Sequence, residues 1–348
     1  MIIIIKEKGD FIIMLRHPNK LQLSCIILVL TLLLSACGQG KQTSSPSTEG
    51  NSAQQTETST DTALESATRV YKDALGREVT IPAHPQRVLT TQYLPEMLAA
   101  GLKPAGAASH LLNNYVSIQD QLEGIEDIGV SNKLNLEKAL ELQPDLIIAA
   151  EWNEDQLEQL SKIAPTVVVQ WEGADAFQHF KSVADVFGRS EQAQEWIQAF
   201  NQKSEEARTK LSSFVSPDET FGVVVIGGFE KGQLRVYGNA NVGYTLYDAL
   251  KFNMTDTVKE EWAKGNHELG INISLEKLPE YASADRLFVV RFDNDPDFLK
   301  EVDDSQLWHS LPAVKNNKVY VVDESLWFSY DVMSLSAQLD DAVQLLTK

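Results

Sequence analysis

The sequence predicts an α/β protein of two lobes, each a mainly parallel sheet covered by helices, with one long helix joining them. Three observations carry this. Apolar runs such as "DLIIAA" and "RLFVV" are continuous rather than alternating, as in strands buried on both faces. Amphipathic helical stretches separate these runs, the order that builds parallel sheets. The stretch "SEQAQEWIQAFNQKSEEARTKLSSF" then interrupts the rhythm with about seven turns of amphipathic helix, roughly 36 Å long.

Order begins at "RVYKDALGREVTIPAHPQRVLTTQ", where two alternating runs flank Leu75-Gly76 and predict a hairpin. The Pro82 to Pro85 segment leads into a strand, and alternation follows: strand "RVLTTQ", helix "PEMLAAGL", strand "PAGAAS", a helix near Val116 to Leu122, helix "NLEKALELQ", strand "DLIIAA", helix "NEDQLEQLSKI" and strand "TVVVQW". In the long helix Ala193, Trp196, Ile197, Phe200, Ala207, Leu211 and Phe214 recur at helical spacing. Ser190 is placed to cap its start and Pro217 lies just past its end. The second half repeats the pattern: strands "TFGVVVIG" and "QLRVYG", helices near Val242 to Leu250 and at "SLEKLPEY", strand "RLFVVRF", helices around Leu299 and Leu307, strand "KVYVVDE", and a closing helix Ser334 to Leu346.

The domain reading is therefore 1–36 signal peptide, with Met14 as an alternative start; 37–67 lipidated cysteine and disordered tether; 68–188 N-terminal lobe; 189–215 interlobe helix; and 216–348 C-terminal lobe. Arg16, His17 and Lys20 precede the apolar "LQLSCIILVLTLLL", which has the flanks of a signal peptide. Leu34-Ser35-Ala36-Cys37 resembles the bacterial lipobox, whose cysteine becomes the lipidated first residue. The other cysteine, Cys25, lies in the apolar region, so the folded part contains no thiol for disulfides, metal clusters or nucleophilic attack. Residues 38–67 are Ser, Thr, Gln and Glu with almost no large apolar side chain and cannot offset ordering entropy.

The chain has 348 residues, 43% of them hydrophobic, enough for two domains. Its 49 acidic residues against 30 basic ones give a net charge of -19, which repels nucleic-acid phosphates. No Gly-rich phosphate loop, Gly-x-Ser-x-Gly elbow or His-Glu-x-x-His is present, so the chain reads as a binder without a cofactor rather than an enzyme. His84, His110, His179, His267 and His309 stand singly, as surface or loop histidines do, with no short-range pairing for a metal.

Ligands of open α/β sheets bind beyond the carboxyl ends of the strands. Those ends are Gln92 and Tyr93, His110, Glu151 and Trp152, and Trp171 in the first lobe; Phe229, Arg235 and Tyr237, Arg291, and Trp327, Phe328 and Tyr330 in the second. Aromatic rings with polar tips suit a bulky organic ligand. Among these, Tyr93, His110, Trp152, Arg235, Tyr237, Arg291, Trp327 and Tyr330 are the candidate contacts, while Trp171 and Phe229 read better as core. Arg235 and Arg291 lie within apolar strands, where each needs an acidic partner or a charged ligand.

The segments "NLEKALELQPDLIIAA" and "SLEKLPEYASADRLFVV" repeat one pattern, with Glu137 and Glu276 each at the second helical position behind Asn135 or Ser274 as N-cap. Helix-dipole complementation accounts for an acid there, but not for the repetition. The strings "YKDALGREVTIPAHPQRVL", "PEMLAAGLKPAG", "DIGVSNKLNLEKALELQPDLIIAA", "LRVYG", "ISLEKLPEYASADRLFVV" and "LPAVKNNKVYVVDESLWF", in this order from about Val70 onward, resemble the iron-siderophore substrate-binding lipoproteins of bacterial ABC importers. The resemblance implies the helical-backbone periplasmic-binding-protein fold, a ferric siderophore between the lobes, and one surface glutamate per lobe docking on the permease dimer, here Glu137 and Glu276. It also implies a lipid anchor at Cys37 on the extracytoplasmic face of the membrane of a Gram-positive cell. With two arginines at the strand ends, a near-neutral hydroxamate chelate is favoured over a catecholate or citrate complex. Cobalamin, haem or a bare metal ion is the alternative cargo.

Overall fold

The structure, a computed structural model, describes the backbone of residues 2–7 and 10–15, and residues 67–348 apart from 229–230 and 266–269. The chain forms two compact units, Met1–Thr58 and Ser59–Lys348. In the first, Ile2–Glu7 pairs antiparallel with Asp10–Leu15. The apolar segment read as a signal sequence, Cys37 and the tether up to residue 66 lie outside the described residues.

The second unit opens with the expected hairpin, Thr68–Lys72 antiparallel to Glu78–Pro82. Asp73 organises its turn: the buried carboxylate accepts the backbone N–H groups of Leu75 and Arg77 and pairs with the Arg77 guanidinium. Gly76 takes φ 76°, open to glycine without strain.

The first-lobe sheet has five parallel strands in the order Thr166–Val168, Leu146–Ala149, Val88–Thr90, Gly106–Ala107 and Glu126–Asp127. Every residue of Leu146–Ala149 is buried, which explains the continuous apolar run. Leu146 and Ile148 face one helical layer with Val183 and Val186, whereas Ile147 faces the other with Ala139 and Leu160.

The second-lobe sheet has six strands: Ile271–Ile273, Leu234–Val236, Thr220–Ile226, Arg286–Arg291 and Val319–Val322 in that order, with Asn253–Met254 beside Thr220–Ile226. Thr220–Ile226, Arg286–Arg291 and Val319–Val322 are parallel. Leu234–Val236 runs antiparallel to both its neighbours, so this mainly parallel sheet carries one reversed strand. The cause is the short connection 227–233, which suffices for a hairpin; a parallel crossover needs about a dozen residues. The strand Ile271–Ile273 was not expected from the sequence, being only three residues long.

The long helix spans Ser190–Leu211, 22 residues, so it ends a turn before the expected limit at 215. Arg189 is its N-cap, and Ser190 is the first helical residue, its hydroxyl reaching Asp185 at 3.4 Å instead of capping. Ala193, Ile197, Phe200, Ala207 and Leu211 are buried in a single core with Phe180 and Ala184 of the first lobe and Phe221, Val225 and Phe288 of the second. The helix therefore bridges the lobes and also covers one face of the second sheet. Burial of Phe200 alone contributes about 2 to 3 kcal/mol. Phe214 lies past the helix end and is exposed.

Candidate ligand-binding site

At the carboxyl edge of the first sheet, Gln92 and His110 are joined, His110 Nε2 donating to Gln92 Oε1 at 2.9 Å. Burial pushes the His110 pKa below the usual imidazole value, which favours the neutral ring. Further along the edge Trp152 is 44% exposed, unusual for a tryptophan that is also fixed in place. Its Nε1 donates to Ser131 Oγ at 3.1 Å, and its ring meets Trp171 edge-on at 5.5 Å. Trp171 in turn stacks on His179 at 4.4 Å, and its backbone N–H donates to both Glu151 oxygens at 2.8 and 2.9 Å. His179 is thus buried in the lobe rather than lying on its surface as expected.

The brace behind Trp152 is built from residues the sequence did not flag. Asn153 is fully buried; its Oδ1 accepts from Thr91 Oγ1 at 2.7 Å and Ala150 N at 3.2 Å, and its Nδ2 donates to the Ser131 carbonyl at 2.7 Å. Gln156 Nε2 donates to the same carbonyl at 3.1 Å. Ser131 is thereby tied to two strand ends before its hydroxyl meets the indole. Polar residues in loops carry no periodic signal, which is why the brace is visible only in three dimensions.

Four expected contacts are placed elsewhere. Tyr93 is fully buried, with a left-handed φ of 69° that turns the ring inward so that its hydroxyl donates to Val169 O at 2.9 Å. Tyr237 follows the antiparallel strand, so its strand's carboxyl end lies at the opposite edge, and it packs in the core beneath the long helix. Trp327 is fully buried, with Nε1 bonded to Asp341 at 2.7 Å and the ring 5.1 Å from Phe288. Arg291 has the parity of Leu287 and Val289, which puts it on the outer face, bidentate to Asp303 at 2.9 and 2.7 Å. Arg235 is half-buried and donates to Asn272 Oδ1 at 2.6 Å.

Tyr330 is half-buried, with its ring 6.0 Å from Tyr244, and the Ala176 backbone of the first lobe bears on its hydroxyl. Tyr244 is 5.6 Å from Phe177. An aromatic residue of the second lobe therefore touches the first helix after the first sheet's last strand. Beside them Phe292 and Phe328 make a T-shaped pair at 5.1 Å, at strand ends where Gly228 bonds Asn294 Oδ1. Phe229 lies outside the described residues.

Open cavities of about 450 and 440 Å³ flank the long helix, lined by Lys203, Glu206, Lys210 and Asp340 in one and by Asn201, Arg208 and Asp248 in the other. The first has no aromatic lining and the second has Phe200 and Tyr244 among otherwise mostly polar residues, whereas the strand ends carry the exposed Trp152 against Trp171, a surface better suited to an organic ligand.

The two Leu-Glu-Lys segments are not equivalent helix starts. Asn135 Oδ1 accepts the Lys138 N–H at 3.1 Å and caps Leu136–Glu141. Ser274 makes no such cap, and Leu275–Lys277 is a 3₁₀ turn followed by a new helix at Leu278. Pro279 is the reason: without an N–H it cannot bond back to Leu275 and continue one helix. The Ser274 hydroxyl and the residue's own backbone N–H hold Glu276 below the usual carboxylate range. Both Glu137 and Glu276 are exposed.

Two α/β lobes around a helical bridge, with aromatic strand ends meeting between them, define a solute-binding architecture. The chain belongs to the periplasmic binding protein family, whose model matches residues 88–326. It is 30% identical over 328 residues to the iron(3+)-hydroxamate-binding protein YxeB of Bacillus subtilis, covering 93% of this chain and 95% of that protein. It is 29% identical over 334 residues to the iron(3+)-hydroxamate-binding protein FhuD of the same species, covering 95% and 98%. A FhuD fold-family component of a Fep/Fec-like ferrichrome ABC transporter from Bacillus subtilis superposes with a TM-score of 0.69 at 29% identity, over 80% of this chain and all of that one. Staphylococcus aureus SirA, solved with staphyloferrin B, superposes at 0.66 and 26% identity, over 80% of this chain and 99% of SirA.

Proposed function

We propose that this chain is the extracytoplasmic solute-binding lipoprotein of an ABC importer, anchored through Cys37, and that it captures a ferric hydroxamate siderophore between its lobes. The observation that carries this reading is the exposed but braced Trp152 against Trp171 at the first sheet's carboxyl edge. Rigid indole surface holds a bulky chelate by contact area at low entropic cost. Kinship to two iron(3+)-hydroxamate-binding proteins over nearly the whole chain supports the cargo class. So does the engagement of the two strand arginines, Arg291 with Asp303 and Arg235 with Asn272, which suits a near-neutral chelate better than a highly anionic one. Glu137 and Glu276 are proposed as the carboxylates that dock on the permease.

The test is titration of the purified mature chain, followed by tryptophan fluorescence, with a ferric tris-hydroxamate, a ferric tris-catecholate, ferric citrate, haem and cobalamin. Saturable quenching by the hydroxamate is expected. Quenching by another member of the panel and none by the hydroxamate would overturn the cargo class.

A further inference from the structure

Two acids lie buried at the contact between the lobes with no basic partner among the described residues. Glu96 belongs to the helix Leu94–Ala99 of the first lobe and is 2% exposed; Asp331 caps the closing helix Val332–Leu346 of the second and is 3% exposed. These two helices pack against each other. The seam is crossed by a hydrogen bond between the Ser117 and Ser334 hydroxyls at 2.8 Å, and Met333 packs into the first-lobe core. Asp331 Oδ1 accepts the Ser334 N–H at 2.9 Å, while its Oδ2 is buried with no hydrogen-bond partner among the described residues.

The neighbouring titratable groups do not neutralise the acids. The charge of Asp331 bears on Glu96, and no basic group among the described residues opposes it. Burial and the charges of Asp331 and Glu96 push up the pKa of Tyr115, from the segment before the 3₁₀ turn Val116–Gln121, so it supplies no positive charge. Burial on the other side of Gln92 lowers the His110 pKa and favours its neutral form. His179, on the helix that also packs against Leu94–Ala99, turns to the Trp171 carbonyl. Burial pushes both carboxyls above their ordinary range, and the charge of Asp331 adds to the rise at Glu96. Ionising both would put two like charges in a seam that burial shields from bulk solvent.

We propose that Glu96 and Asp331 form a proton-held latch: a proton retained on the pair keeps the two helices together, and its loss loosens the seam between the lobes. Closing the seam takes up a proton and opening it releases one. The latch is fully held below the ordinary carboxylate range and weakens as pH rises through the elevated values. It does not require cargo.

Hydrogen exchange of the full mature chain without ligand, corrected for the intrinsic pH dependence of exchange, reads the latch directly. At about pH 8.5 the segments 94–99 and 332–346 should lose roughly tenfold in protection relative to about pH 5, while the inner strand 286–291 changes little. Glu96→Gln should hold the seam at both pH values, since the amide keeps the shape without the charge, and Asp331→Asn should do the same with some loss of the helix cap. Equal protection of the wild-type seam at both pH values would overturn the proposal. A pH dependence as steep in both variants as in wild type would overturn it too.

Discussion

Trp152 and Ser131 are joined by a single hydrogen bond of 3.1 Å from indole to hydroxyl, and that bond orients the most exposed tryptophan at the strand ends. Ser131→Ala leaves the indole unanchored without opening a buried cavity. We expect siderophore affinity to fall about two- to tenfold, the worth of one hydrogen bond, with the melting temperature unchanged. Asn153→Ala removes three bonds from a fully buried side chain and should cost about 2 to 3 kcal/mol of stability as well. Calorimetric titration and thermal melts of both variants check the separation of effects.

A second prediction concerns Glu219, which binds Arg286 through Nε at 3.1 Å and Nη2 at 3.0 Å and also accepts from Lys318. Burial acts to raise its pKa, but the bonds from Lys318 and Arg286 outweigh it and hold the carboxyl below the usual range. The stabilisation is present above the ordinary carboxylate range and is lost as pH falls through the depressed value. Glu219→Gln should destabilise by about 1 to 3 kcal/mol at neutral pH, and the difference from wild type should shrink in acid, as denaturant melts at several pH values will read.

Gly228 offers a third test. A Cβ placed there would lie 2.5 Å from the Phe292 ring, and its φ of 79° is unfavourable for alanine. Gly228→Ala should displace Phe292 from its pairing with Phe328, costing about 1 to 3 kcal/mol and weakening cargo binding. Unchanged affinity would remove the Phe292–Phe328 pair from the site.

The sequence carried the architecture because the relevant signals are local. Continuous apolar strands, the stripe through Ile197, Phe200 and Ala207, and the Asp73–Gly76 turn each follow from neighbours in the chain. What stayed hidden depends on direction or distant partners. Tyr237 was assigned to the ligand edge because a strand's direction is not written in its composition; the short loop 227–233 held the clue. Arg291 and Trp327 looked available until helix packing brought Asp303 and Asp341 to them. Glu96 reads in sequence as an ordinary first-turn acid, and only the arrival of Asp331 from the far end of the chain makes it unusual.

Glu137 and Glu276 separate docking from stability. Both are exposed, so changing both to Gln should cost a few tenths of a kcal/mol in stability and leave siderophore affinity intact. Uptake of ferric hydroxamate by cells carrying the double variant should nevertheless drop, and charge reversal to Lys should lower it further. Normal uptake would return the two Leu-Glu-Lys segments to simple helix and turn starts.

The account rests most heavily on cargo being held at the strand ends, and a crystal structure of the chain with a ferric tris-hydroxamate measures this directly. The chelate should lie against Trp152 and Trp171, with Phe292, Phe328 or Tyr330 of the second lobe on its other side. A chelate seated instead in the charged cavities along the Ser190–Leu211 helix, with Trp152 untouched, would contradict it.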